Sequence, residues 1–154
     1  RIAKSTDRWF VKRDQRLKQV LAQAVDVISD PERKAVARDV AKTIWSMARV
    51  NSTDRPVQER LSEEILRRVD QFEPQGLSNI MWSYARIGPP RRGVLEAVLQ
   101  KFQELVIDGS CEPQALSNVT WALAKMVILD IPMLDKIAAE AIKKADEFDP
   151  QGLA

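Results

Sequence analysis

Three groups of residues recur in this chain in one pattern: Arg38, Lys42, Trp45 and Arg49; then Gln75, Asn79, Trp82 and Arg86; then Gln114, Asn118, Trp121 and Lys125. Within each group the members are four, three and four positions apart. On a helix that spacing gathers them on one face. Guanidinium and ammonium groups there can meet phosphates, whose charge dominates nucleic-acid affinity. The Asn and Gln amides offer donors and acceptors to base edges or a 2′-hydroxyl. An indole can stack on a base. The five cations of the pattern meet no acid at the equivalent positions. The candidate RNA-binding residues are therefore Arg38, Lys42, Arg49, Gln75, Asn79, Arg86, Gln114, Asn118 and Lys125.

Each of these residues also has a structural reading. A large aromatic repeated at one register wedges between neighbouring helices, and packing is the stronger expectation for the tryptophans. Asn79 and Asn118 can equally bridge adjacent helices. Arg49, Arg86 and Lys125 lie near helix ends and can offset the helix dipole. Positions identical between groups cannot tell one base from another. Any discrimination must come from positions that vary near the same face, Asp39/Gly76/Ala115 and Ser46/Ser83/Ala122.

What the chain lacks narrows the chemistry further. It contains no histidine and a single cysteine, Cys111. That removes an internal disulfide, Cys-based zinc sites, His-ligated metals and the Ser-His and Cys-His nucleophile pairs. Cys111 precedes a helix N-terminus, where a thiolate is favoured, but it has no imidazole to act as base. The Glu63-Glu64 pair reads as part of a solvated helix face. The expectation is a non-enzymatic binding protein with no cofactor, no metal and no small-molecule substrate. No apolar run reaches the length of a membrane span.

The elements that must position these residues are helices. Apolar residues at helical spacing mark helices at about 14–29, from Asp30-Pro31 to about Val50, at about 56–71, from Pro74 to Gly88 and from Val94 to about Val106. Two more run from Pro113 to near Leu129 and from Pro132 to about Glu147. Asp30 and Glu73 stand at N-cap positions, and Pro31, Pro74, Pro113 and Pro150 at first helical positions. Leu77, Ile80, Met81, Tyr84, Ala85 and Ile87 form the apolar stripe opposite the amide and cation face. Trp9-Phe10-Val11 is an apolar cluster in a basic segment. Residues 1–50 hold twelve basic and six acidic side chains, a local charge of +6, against −4 for the rest. That asymmetry is a modest pointer to an anionic partner.

Glu73-Pro74-Gln75-Gly76-Leu77-Ser78-Asn79 returns as Glu112-Pro113-Gln114-Ala115-Leu116-Ser117-Asn118 and begins again at Asp149-Pro150-Gln151-Gly152-Leu153. The tryptophans are spaced by 37 and 39 residues. A period of that size signals stacked repeats. The expected fold is all-α, an α-solenoid of tandem helical hairpins. Its parts would be an N-terminal partial unit (1–30), repeats at 31–72, 73–111 and 112–148, and a truncated start at 149–154. Both ends read as cut, so the chain is expected to be part of a longer array.

The run Pro74-Gln75-Gly76-Leu77-Ser78-Asn79-Ile80-Met81-Trp82-Ser83-Tyr84-Ala85-Arg86-Ile87-Gly88 resembles the octotricopeptide (OPR) repeat family, whose units are about 38 residues long and occur upstream of RAP domains. The resemblance implies an organellar protein, of mitochondrion or chloroplast, that binds single-stranded RNA to stabilise, process or help translate transcripts. The alternative it leaves is a scaffold subunit of a large organellar assembly such as a mitochondrial ribosome, in contact with rRNA and protein subunits. Nothing here resembles a RAP domain, so no nuclease is implied.

Overall fold

The computed structural model describes residues 15–30, 32–33, 35–91 and 93–148. The Trp9-Phe10-Val11 cluster, Pro31 and the motif start at 149–154 lie outside them. Among the described residues the protein is all-helical, with seven α-helices and no strand. They are α1 (Gln15–Ser29), α2 (Ala37–Arg49), α3 (Arg55–Arg67), α4 (Pro74–Ile87), α5 (Val94–Ile107), α6 (Pro113–Met126) and α7 (Ile131–Lys143). Short 3-10 turns follow α3 (Val69–Gln71) and α7 (Ala145–Glu147).

Local chemistry sets the boundaries and corrects several of those expected. Asp30 does not cap the second helix. Its carboxylate accepts from Glu32 N at 3.0 Å and its carbonyl from Arg33 N at 3.1 Å, which closes a turn. Helix α2 starts at Ala37, where the Asp39 carboxylate reaches back to Val36 N at 3.1 Å. Asp54 and Asp130 are the side-chain caps, accepting from Val57 N at 3.2 Å and Met133 N at 3.0 Å. Pro74 and Pro113 do open α4 and α6, but Glu73 caps nothing with its side chain. Helix α6 stops at Met126 rather than near Leu129. Val127 turns left-handed (φ 57°, ψ 40°) there, and Ile128 N bonds back to Leu123 O at 2.9 Å. The last turns expected of α3 and α7 tighten into the 3-10 segments.

The helices lie in two rows. Helix α4 packs between α2 and α6, in the most extensive helix–helix packing of the molecule. Helices α1, α3, α5 and α7 meet in sequence behind them, and α2·α3, α4·α5 and α6·α7 join the rows. The core runs between the rows through Val40, Ile44, Leu61, Ile65, Leu77, Ile80, Met81, Val98, Phe102, Leu116 and Val119. Each such side chain contributes roughly 1.5–3 kcal/mol by leaving water. The expected stripe on α4 is buried as read, with Ala85 at its margin.

Among the buried residues of α2, α4 and α6 several are small: Ala41 and Ala48, Ser78 and Ser83, Ala115 and Ala122. Small side chains let helix backbones approach. The Ser83 hydroxyl disposes of its proton on Asn79 O at 2.6 Å, so its burial leaves no orphan donor. Gly76 leaves room for the ring of Phe72. A Cβ there would stand 3.2 Å from Phe72 Cδ1 and 3.8 Å from Ala41 Cβ.

Two buried ion-paired clamps tie the back row together. Glu64 is buried and pairs with Arg67 and, at 3.0 Å, with Arg68. Arg68 then donates to Ile28 O at 3.1 Å, at the end of α1. Glu140 repeats the device. It is buried and pairs with Lys143 at 3.1 Å and Lys144 at 3.2 Å. Lys144 donates to Gly109 O and Cys111 O at 2.7 and 2.8 Å, beyond the end of α5. The solvated face expected for the Glu63-Glu64 pair holds for Glu63 alone. Cys111 also departs from expectation. It is fully buried, and that burial pushes its thiol up to about 12, so no thiolate forms near neutral pH.

Candidate nucleic-acid interface

Because α2, α4 and α6 lie side by side, their non-core faces join into one surface. The structure brings the candidates together on it. Arg38, Lys42, Arg49, Gln75, Arg86, Gln114 and Lys125 are exposed, and Asn79 and Asn118 are half-buried between the helices. Their 4-3-4 spacing places them there for the reason the sequence suggests, since the opposite stripe of each helix is taken by the core.

The tryptophans share this surface, and Trp82 is also packed against the core. Trp45 is 37% and Trp121 43% exposed, and Trp82 is half-buried. Packing still describes part of their role. The Trp82 and Trp121 rings meet across the α4–α6 boundary with centroids 6.3 Å apart and planes 32° apart. The Arg86 guanidinium lies over Trp82 at 4.8 Å, and Arg49 over Trp45 at 5.1 Å. Arg86 Nε also donates to Ala48 O at 3.4 Å, the carbonyl end of the neighbouring α2. Its dipole-offsetting role is thus exerted across a helix boundary.

The cations are not all free of acids. Arg38 comes within 3.9 Å of Glu73, the residue preceding α4, and both side chains are exposed. Among the described residues no carboxylate pairs with Lys42, Arg49, Arg86 or Lys125. The acids at the edge of this surface, Glu73 and Glu112, precede α4 and α6, whereas Arg49, Arg86 and Lys125 stand in the last turns. Positive charge is therefore concentrated at the C-terminal ends of the three helices. Lys42 adds a charge beside an open groove between α1 and α2 floored by Val20, Ala24 and Val27.

The variable positions expected to discriminate between bases mostly face inward. Ser83, Ala115 and Ala122 are buried and Gly76 is hemmed in by Phe72. Only Ser46 is exposed, with Asp39 half-buried and engaged by Val36 N. The same close approach of helices that builds the surface takes these positions out of it. Sequence reasoning alone misses the contact of Trp82 with Trp121; the matching registers carry that signal, because equivalent positions on adjacent packed helices are neighbours. Among the described residues no cluster of His, Cys, Asp and Glu could hold a metal ion, and no helix is long and apolar enough to cross a membrane.

A family model, that of the RNA-editing substrate-binding complex 6 protein (RESC6), matches residues 15–130. No curated protein matches the chain. The match corrects the octotricopeptide resemblance: the family that it shows over residues 15–130 is a different one.

Proposed function

The chain belongs to the RNA-editing substrate-binding complex 6 protein family, and from that premise we propose that it is a non-catalytic component of an RNA-editing assembly that holds single-stranded RNA along α2, α4 and α6. The observation that carries the proposal is the run of Lys42, Arg49, Arg86 and Lys125, without carboxylate partners among the described residues, on one surface interleaved with indoles and amides. The two rows of helices are read as a stretch of α-solenoid with units at 31–72, 73–111 and 112–148, in which each hairpin buries its neighbour's flank. Protein partners belong to the same reading. Val127 and Leu129, just beyond the end of α6, and Ile142 on α7 are largely exposed apolar side chains and suit docking against another subunit. The organelle and the ribosome drew their support from the corrected resemblance and are not part of the proposal.

The test is titration of labelled single-stranded RNA at several salt concentrations. Replacing Arg49, Arg86 and Lys125 together by Ala is expected to weaken binding and to lower the log–log salt slope by about 0.7 for each phosphate no longer neutralised. Asn79→Ala and Asn118→Ala should weaken binding with little change of slope, since amides release no counterions. Unchanged RNA affinity in the folded triple variant would remove the cation row from any role in binding.

A further inference from the structure

The three tryptophans occupy the same register but do not have the same free surface. Trp45 has one face under Arg49. Trp82 is enclosed on two sides. Arg86 covers it at 4.8 Å while reaching to Ala48 O of α2, so the guanidinium lies toward α2. Trp121, on α6, meets it from the other direction at 6.3 Å. Arg86, Trp82 and Trp121 thus form a contiguous row of three members running across the helices, with the two indole planes tilted by 32°. Its last member carries no cation among the described residues and is 43% exposed, the most open of the three indoles. Lys125, one turn further along α6, is exposed and has no carboxylate partner among the described residues, and Asn118 lies one turn before.

We infer that an unpaired nucleobase stacks on the open side of Trp121 as the fourth member of this row, with Lys125 meeting the adjoining phosphate and Asn118 within reach of the base edge. Stacking suits the site because every base presents a π-face, so the interaction selects unpaired nucleotides without selecting sequence. Arg86 and Trp82 hold the Trp121 ring in place before the base arrives, which removes the ordering cost of a lone exposed indole. Trp82, with both sides occupied, is a positioning residue here. The inference rests on the RNA-binding reading above.

Binding of a labelled oligoadenylate is compared with that of the same sugar-phosphate backbone lacking bases. The wild-type chain is expected to bind the oligoadenylate on the order of ten-fold more tightly. Trp121→Ala and Trp121→Leu should both abolish that difference, leave the salt slope unchanged and remove the quenching of tryptophan fluorescence by the oligonucleotide. Leu keeps apolar cover but has no π-face, and Trp121→Phe should restore most of the preference. Oligoadenylate binding unchanged by Trp121→Ala and Trp121→Leu, alongside weakened affinity in the Arg49/Arg86/Lys125 variant, would overturn the stack and leave the RNA surface standing. No binding of either polymer by the wild-type chain would overturn both.

Discussion

At the scale of single residues, the groups with chemistry are easier to identify than their surroundings. The nine amides and cations of the candidate surface lie on it because helical phase alone decides which face they take. Their partners cannot be read the same way. Glu64 and Arg68 look like an ordinary solvated i,i+4 pair until Ile28 O, far back in the chain, claims the guanidinium. Cys111 looks like a thiol favoured as a thiolate ahead of a helix N-terminus, because nothing in its neighbours announces burial. It and Tyr84, whose hydroxyl bonds to Ser62 Oγ at 2.9 Å, are the two acids that burial pushes up to about 12. Their ordinary values are 9.0 and 10.0, so the unfolded chain gives up these protons first as pH rises. The stability they contribute is full below about pH 9 and is lost as pH climbs toward 12. Denaturant midpoints measured across that range should fall, and the fall should be shallower in a Tyr84→Phe, Cys111→Ala variant. Glu140 works in the opposite sense. Lys143 and Lys144 hold its carboxyl below the usual range, so its contribution is present above the ordinary value of 4.5 and is lost on acidification.

At the scale of elements, all seven helices are legible from apolar periodicity, and the errors sit at their ends. The left-handed turn at Val127 has no residue-type signal, since that conformation ordinarily calls for Gly or Asn. The Asp30-Pro31 pair carries a helix-start signature that the turn at Glu32 and Arg33 overrides. One sequence difference between the joints becomes intelligible only in three dimensions. Phe72 is buried four residues before Gly76, whereas Cys111 is buried four residues before Ala115. The missing methyl at Gly76 makes room for the ring of Phe72, and the smaller thiol stands where a methyl is present. The two positions should therefore be coupled. Gly76→Ala is expected to be better tolerated in a Phe72→Cys background than alone, with an interaction of about 1 kcal/mol in a double-mutant cycle read by denaturation. Strict additivity would show that the Phe72 ring moves aside freely.

At the scale of the whole molecule, the recurrence of the tryptophans anticipates which helices lie beside one another, because equivalent faces of successive hairpins must meet. It does not anticipate how unequal the two rows are. The front helices pack against one another far more extensively than the back helices do. The cations and indoles therefore cross three closely packed helices rather than running along one. A single strand can turn its bases and its phosphates separately toward such a surface, but the bases of a double helix are stacked inside it and do not reach the indoles. A duplex of matching length and charge should accordingly compete poorly for the surface, and the deficit should persist at low salt, where phosphate attraction is strongest. Equal competition by duplex and single strand would place the bound nucleic acid somewhere other than across the indoles.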